Sequence, residues 1–139
     1  MLILDTDHMS ELVRGLEAGA RLSARLANAS RPIATSIVTV EEILRGQLAQ
    51  ISSSKSPGRL IVTYGRAQNV FIELARWSIV AWDARAASLF EHLRAQRLGV
   101  STMDLRIASI VLANDSTLLS RNLKDFERVP DLKVEDWLS

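Results

Sequence analysis

The sequence predicts an α/β protein whose central, mostly parallel sheet has four to five short strands flanked by helices. Short apolar runs alternate along the chain with longer stretches whose apolar residues recur at helical spacing. This alternation is typical of units in which a helix connects two parallel strands. The chain has 139 residues, which is the length of one domain with its own core. We therefore expect a single domain over residues 1–139.

The first part of the chain predicts two strands separated by two helices. Residues 1–5 form an apolar run that ends in an acid, and a short helix over 8–14 follows it up to Gly15. A second helical pattern covers 16–28 and stops at the Ser-Arg-Pro sequence that follows it. Residues 33–36 then predict the second strand.

The middle of the chain predicts two long helices joined by a loop. One helix begins at Thr39, and the serine-rich stretch 52–58, which contains proline and glycine, predicts the loop. A long amphipathic helix over 59–76 follows. The apolar faces from Val38 to Leu48 and from Leu60 to Leu74 are candidates for contact with a partner, although core packing explains most of them.

The last part of the chain predicts the remaining strands and helices. Residues 79–82 predict a third strand, and Asp83 is well placed to cap a helix over 84–96. An apolar helix begins near Ser101, with Asp104 at its N-terminal end. A fourth strand, a turn or short helix, and a fifth strand at the sheet edge are predicted at 117–120, 122–126 and 132–135.

Composition excludes several classes of protein and site. The chain has no cysteine, which removes disulfides, thiolate zinc sites and a cysteine nucleophile. The opening residues lack the pattern of a signal peptide, and no apolar stretch approaches the roughly 20 residues of a membrane span. The net charge is only +1, although arginine outnumbers lysine by 14 to 3. We expect a soluble, cytoplasmic protein. Its arginine content is compatible with RNA binding but does not by itself indicate it.

Several acids lie where predicted strands end or predicted helices begin. Asp5 ends the first strand, Glu42 lies in the first turns of the third helix, and Asp104 begins a later helix. If strands one and four are neighbours, the connections bring these acids and Asn122 to one edge of the sheet. Three converging carboxylates repel one another unless a cation neutralises them. The pattern therefore suggests a cation site.

The types of ligand favour Mg²⁺ or Mn²⁺ over zinc. The acids supply hard oxygen atoms, and neither His8 nor His92 has a helical i, i+4 partner. We expect both histidines to be partly exposed at the surface. Mg²⁺ held by carboxylates retains several waters, and its usual chemistry is phosphoryl transfer or phosphodiester hydrolysis.

Each acid also has a purely structural interpretation. Asp5 or Asp7 is placed to cap the first helix, and Asp104 to cap its own helix. Glu41 and Glu42 both lie in a helical first turn, where acids interact favourably with the helix dipole. Glu42 lies beside the apolar stripe, whereas Glu41 falls on the solvated face. Spacing alone does not decide between capping and metal binding.

Short motifs at these positions resemble those of a known family. They are Leu4-Asp5-Thr6-Asp7, Glu42-Ile43-Leu44-Arg45-Gly46, Asp104-Leu105-Arg106-Ile107-Ala108 after Gly99, and Ser120-Arg121-Asn122 before Asp125-Phe126. Each motif is short and degenerate. Their order, their spacing and the total length resemble the PIN-domain ribonucleases, and within them the VapC-type toxins of bacterial toxin–antitoxin pairs, over essentially the whole chain.

The resemblance implies a single PIN-like nuclease domain that acts as a Mg²⁺-dependent endoribonuclease. Asp5 and Asp104 would hold the metal with help from Asn122, and Glu42 would bind it through water or position the nucleophile. The family often has Asp where this chain has Asn122, which leaves the number of metal ions open. The resemblance also implies an RNA substrate, a cognate antitoxin that covers the site, and a homodimer. Four arginines beside the motifs are candidates for holding phosphate: Arg14, Arg45, Arg106 and Arg121.

Other functions fit part of the pattern. Asp5 and Asp7 also match the Asp-x-Asp sequence of haloacid-dehalogenase-type phosphatases, in which Asp5 would be the nucleophile and Ser36 would bind phosphate. That interpretation requires further acids after the fourth strand and leaves Glu42 without a role. A non-catalytic, receiver-like domain that binds Mg²⁺ would need a phosphorylatable acid after the third strand, where Asp83 is the only candidate. A PIN scaffold that has lost its activity is a further alternative.

Overall fold

All the strands of the protein run parallel in one sheet. A computed structural model of the chain describes residues 1–139. The strands are β1 (Leu2–Leu4), β2 (Ile33–Ser36), β3 (Ile79–Val80), β4 (Thr117–Leu119) and β5 (Lys133–Glu135). Their order in the sheet is β3-β2-β1-β4-β5, and every neighbouring pair is parallel. The predicted α/β class is confirmed, with β5 at one edge.

The helices fall close to the predicted segments. They are α1 (Thr6–Arg14), α2 (Glu17–Ala27), α3 (Ile37–Ser53), α4 (Pro57–Ala75), α5 (Ala84–Ala95), α6 (Thr102–Ala113) and α7 (Leu123–Phe126). Helix α3 begins before the predicted Thr39 because the Ser36 hydroxyl accepts a hydrogen bond from the Thr39 N–H at 3.1 Å and caps the helix. The predicted cap of α5 is confirmed, since Asp83 accepts a hydrogen bond from the Ala86 N–H. None of these helices is both long and apolar enough to span a membrane.

Strand β1 lies in the middle of the sheet and is buried on both faces. Its side chains alternate, so that Ile3 packs into one core while Leu2 and Leu4 pack into the other. The first core also contains Phe90 of α5 and many residues of α6, and the second contains residues of α1 to α4, among them Leu74. Helices cover both faces, as a parallel sheet requires.

The order of the strands reverses between β1 and β4. From β1 the chain continues to β2 and β3 on one side, whereas β4 and β5 lie on the other. In parallel α/β sheets, the crevice at such a reversal of strand order is where ligands bind. Strands β1 and β4 are neighbours, which is the condition on which the predicted convergence of the acids depends, and Asp5 and Ser120 are the residues that follow them.

Candidate active site at the carboxyl ends of β1 and β4

Asp5 is a buried carboxylate at the start of α1. It is 6% exposed. One of its oxygens accepts a hydrogen bond from the Thr6 N–H at 2.8 Å, and the other accepts one from the Ser120 hydroxyl at 2.7 Å. Burial raises the pKa of Asp5 to about 6, assisted by the negative charges of Asp7 and Asp104. Asp5 therefore caps the helix and also faces the other acids, so the two interpretations of this residue are compatible.

Glu42 is held at the same edge by a threonine from the first motif. The Thr6 hydroxyl donates a hydrogen bond to a Glu42 carboxylate oxygen at 2.9 Å. Burial raises the pKa of Glu42, and the charge of Asp104 raises it further. The neighbouring Glu41 instead forms an ion pair with Arg45 on an exposed part of α3. The structure agrees with the prediction that Glu42, and not Glu41, faces the site.

Asp104 lies in the first turn of α6 and is not its cap. The cap is Ser101, whose hydroxyl accepts a hydrogen bond from the Asp104 N–H at 3.2 Å. The Asn122 amide nitrogen donates hydrogen bonds to Asp104 at 3.2 Å and to Asp125 at 3.1 Å. Burial raises the pKa of Asp104, as does the charge of Asp125. Asn122 thus links two acids that would otherwise only repel each other.

Asp7 binds the turn that follows β4. One of its carboxylate oxygens accepts a hydrogen bond from the Arg121 N–H at 2.9 Å. The Ser120 hydroxyl, which donates to Asp5, accepts a hydrogen bond from the Asn122 N–H at 3.0 Å. Burial by itself would raise the pKa of Asp7, but its hydrogen bonds to His8 and Arg121 outweigh burial and lower it. Asp5, and not Asp7, caps α1, and Asp7 instead holds the turn after β4.

The prediction that His8 lies partly exposed at the surface is wrong. Its side chain is fully buried, with Nδ1 2.6 Å from an Asp7 carboxylate oxygen. Its Nε2 accepts a hydrogen bond from the Trp137 N–H at 3.1 Å. The sequence holds no signal for this position, since Trp137 lies 129 residues further along the chain. His92 is exposed, as predicted.

The structure brings the predicted site residues to one edge of the sheet. Asp5 and Glu42 are joined through Thr6, while Asn122 contacts Asp104 directly. The role of Ser120, which contacts Asp5, was not assigned from the sequence, although the residue begins the last motif. The residues predicted to act together are therefore close enough to share one electrostatic environment.

The donor set fits a hard divalent cation. No three acidic or histidine side chains are grouped closely enough to ligate one ion together. Mg²⁺ needs only one or two protein carboxylates, because it keeps several of its waters. Burial is the main cause of the raised pKa values of Asp5, Glu42 and Asp104, and repulsion between neighbouring acids adds to it. Asp5 and Asp104 carry carboxylate oxygens, the type of ligand that such an ion prefers.

The arginines named from the sequence are mostly engaged by neighbouring side chains. Arg14 and Arg121 lie 3.3 and 3.8 Å from the same Glu11 carboxylate oxygen. Arg45 pairs with Glu41, and Arg106 contacts the sulfur of Met103. A cavity of about 520 Å³ between α1, α3 and α4 offers a better cationic surface. Its lining includes Arg14, Gln47, Arg66 and Asn69, and of these only Arg14 lies beside a sequence motif.

Comparison with known proteins identifies the family. The model of the PIN domain matches residues 2–132. The chain belongs to the PIN-domain family. The resemblance noted from the sequence is confirmed, and the comparisons do not favour the phosphatase alternative. In this PIN domain the Ser36 hydroxyl caps α3 and Asp83 caps α5, so both residues have structural roles.

Named relatives of this PIN domain are VapC proteins. Ribonuclease VapC2 of Rickettsia felis is 34% identical over 70 residues, which cover 48% of this chain and 52% of that protein. This alignment thus spans about half the length of that relative. Ribonuclease VapC19 of Mycobacterium tuberculosis is 29% identical over 135 residues, covering 96% of this chain and 98% of that protein. The crystal structure of VapBC2 from Rickettsia felis, bound to a DNA fragment from its promoter, has a TM-score of 0.77 at 25% identity and covers 98% of each chain.

Proposed function

We propose that this PIN domain is a Mg²⁺-dependent endoribonuclease and the toxin of a toxin–antitoxin pair. The observation that supports this most directly is the set of three partly or fully buried acids with raised pKa values where the strand order reverses. The ribonuclease names of VapC2 and VapC19 support RNA as the substrate. The substrate bond in this proposal is an RNA phosphodiester.

In the proposed reaction, Asp5 and Asp104 hold the cation. When bound, Mg²⁺ supplies a water of lowered pKa and neutralises charge that develops on the phosphate. Ser120 keeps the Asp5 carboxylate in place, and Asn122 does the same for Asp104. These hydrogen bonds fix both carboxylates before the substrate binds, so that less reorganisation is needed during the reaction.

Glu42 is the group that we assign to proton transfer. The Thr6 hydroxyl orients its carboxylate, and its raised pKa brings it nearer to neutral pH than an exposed glutamate. A general base is most effective when its pKa lies near the working pH. Glu42 is therefore suited to accept a proton from the attacking water.

We assign RNA binding to the cavity between α1, α3 and α4. Ser10 and Gln47, which line it, lie about one helical turn beyond Thr6 and Glu42. Arg14 and Arg66 supply positive charge there, which phosphate requires beside an acidic site. RNA that crosses this cavity would reach the acids with its charge already partly neutralised.

The helical pair α3 and α4 is the surface that we assign to protein partners. It exposes large apolar side chains at Leu48, Ile61, Tyr64 and Phe71. Exposed apolar patches of this kind are typical of protein interfaces. The VapBC2 structure supports a cognate antitoxin as one partner. We also propose a homodimer, and we keep a cytoplasmic location as an expectation.

A cleavage assay tests the nuclease. The purified chain, free of antitoxin, is incubated with a mixed RNA pool in Mg²⁺, and the new RNA ends are sequenced. We expect cleavage at defined sites, loss of cleavage after addition of EDTA, and loss in Asp5→Ala. Binding of Mg²⁺ should also raise the melting temperature of the wild type but not that of Asp5→Ala, since a ligand stabilises the state that binds it.

The same assay separates the alternatives. Asp7→Asn should abolish a phosphatase but leave a nuclease partly active, whereas Glu42→Gln should do the reverse. Absence of RNA cleavage in Mg²⁺ and in Mn²⁺ would contradict the proposed function. A rise in melting temperature with Mg²⁺ but without cleavage would favour a PIN scaffold that has lost its activity.

A further inference from the structure

His8 is the one buried titratable side chain to which the proposed reaction assigns no role. Its imidazole is fully buried, yet both ring nitrogens have partners. Nε2 lies 3.1 Å from the backbone nitrogen of Trp137, and Nδ1 lies 2.6 Å from an Asp7 oxygen. A backbone N–H can only donate, so Nε2 must be the acceptor. The proton of the neutral ring then sits on Nδ1 and is donated to Asp7.

The hydrogen bonds continue from Asp7 to the site itself. The second oxygen of Asp7 accepts from the Arg121 N–H at 2.9 Å and lies 3.3 Å from the Ser120 hydroxyl. That hydroxyl donates to Asp5 at 2.7 Å. From Trp137 the path runs through hydrogen bonds of 3.1 and 2.6 Å to Asp7, then through the Arg121 N–H to the turn that carries Ser120. A hydrogen bond of 2.7 Å from Ser120 to Asp5 completes it.

The far end of this path is anchored to the body of the protein. The guanidinium of Arg25 lies 4.4 Å from the centre of the Trp137 ring. The indole N–H of Trp137 donates to Glu135 of β5 at 2.8 Å. The Leu138 N–H donates to Asp136 at 2.8 Å. The C-terminal segment 136–139 therefore presents the Trp137 N–H to His8 from a held position.

We propose that His8 is a positioning residue that couples the C-terminal segment to the active site. It holds Asp7 in the orientation that fixes the turn after β4. Ser120, which lies in this turn, then fixes Asp5. The effect on catalysis rests on the proposed nuclease function. The hydrogen-bond relay itself does not, and it can be measured in the resting protein.

Nitrogen-15 NMR of the imidazole rings tests the relay without any substrate. The His92→Gln variant removes the signals of the exposed histidine and leaves those of His8. We expect a single neutral tautomer with the proton on Nδ1. A proton on Nε2, or a mixture of the two tautomers, would overturn the proposal.

Two substitutions then separate positioning from packing. His8→Asn places an amide N–H near the former Nδ1 and keeps a donor for Asp7, whereas His8→Gln reaches towards Trp137 and leaves Asp7 without that donor. We expect kcat to fall about 10- to 100-fold in His8→Gln, the range for residues that orient a ligand of a metal. We expect a smaller fall in His8→Asn and little change of KM for RNA in either variant.

The controls make the result decisive. Melting temperatures of both variants are measured alongside the kinetics, and His92→Gln should behave as wild type. Equal losses of kcat in the two His8 variants, or losses that simply follow the melting temperature, would overturn the positioning role. If the wild type cleaves no RNA, the proposed function fails, and the NMR tautomer still decides whether the relay exists.

Discussion

At the scale of single residues, burial decides the properties of the acidic site. Asp5 is surrounded by Thr6 and Ser120, and it sits near two other acids. Its ionised form loses hydration and gains only two hydrogen bonds in exchange. The raised pKa of Asp5 therefore reflects the free-energy cost of burying its ionised carboxylate, and a bound cation would lower that cost.

Asp5→Asn is expected to stabilise the cation-free protein at pH 8. The pKa of Asp5 is about 6 in the folded chain, against 3.8 for an unperturbed aspartate. The folded state therefore binds this proton more tightly, and the stabilisation is present below pH 3.8 and lost as the pH rises through 6. The ionised side chain then costs up to about 3 kcal/mol, at 1.4 kcal/mol for each pKa unit. Urea unfolding in EDTA should show Asp5→Asn to be more stable than wild type at pH 8, with a smaller gap at pH 4. Equal gaps at the two pH values would contradict this account.

Glu42→Gln and Glu41→Gln form a matched pair of neighbouring substitutions. Glu42 is held by Thr6 at the site, while Glu41 pairs with Arg45 away from it. We expect Glu42→Gln to lower kcat for RNA cleavage about 100-fold or more, the usual contribution of a general base. Glu41→Gln should stay within about twofold, since surface ion pairs contribute little. Similar losses in both variants would remove Glu42 from the reaction.

At the scale of elements, the close packing of α2 on α1 sets the position of the first motif. Helix α1 ends at Gly15, which adopts a positive φ of 67° that L residues rarely take. Four residues later, Gly19 lies so close to α1 that a Cβ atom would be 2.2 Å from the Glu11 carbonyl oxygen. Any larger residue at position 19 would therefore push the two helices apart. Because α1 begins at the acidic site, such a shift would also move the first motif.

Gly19→Ala is expected to destabilise the protein although alanine is the better helix former. The added methyl group meets backbone, which yields only by moving α2, and overpacking of this kind typically costs about 1 to 3 kcal/mol. Gly65→Ala is the control, because Gly65 lies in α4 with no atom within 4 Å of the added Cβ. That change should add about 0.5 to 1 kcal/mol of stability. Denaturant unfolding of both variants measures the difference, and a stabilised Gly19→Ala would show that the contact relaxes freely.

At the scale of the whole molecule, charge distribution matters more than net charge. A net charge of +1 gives no general attraction for RNA. The acids occupy one edge of the sheet, whereas Arg14 and Arg66 line the neighbouring cavity. Positive charge beside an acidic site allows a polyanion to approach acids that would otherwise repel it.

Arg66→Gln is expected to weaken RNA binding at all sequences by a similar factor. A contact with phosphate has no base specificity, and its loss should reduce the slope of log affinity against log salt by about 0.7 for a single strand. Arg85→Gln, at an exposed arginine of α5 outside the cavity, should leave affinity and slope unchanged. Fluorescence anisotropy of a labelled RNA over a range of salt concentrations measures both. Equal slopes for wild type and Arg66→Gln would exclude a phosphate contact by this residue.

The sequence by itself determined the order of the strands and helices and the acids at their ends. Apolar periodicity and local caps such as Asp83 depend only on neighbouring residues, so they are readable in the chain. Their positions grouped Glu42, Asp104 and Asn122 with Asp5, the motif resemblance gave them roles, and the structure places all of them at one edge of the sheet. Their chemical roles stay predictions.

Only the tertiary structure decided how these residues are held. The Ser120 hydroxyl meets Asp5 across 115 residues of sequence, and His8 meets Trp137 across 129. Such contacts exist only after β1, β4 and the C-terminal segment have packed together, and no local pattern encodes them. For the same reason the chain gave no indication that His8 is buried. Local physics thus specified which elements form, while long-range packing specified the hydrogen bonds that position the acids.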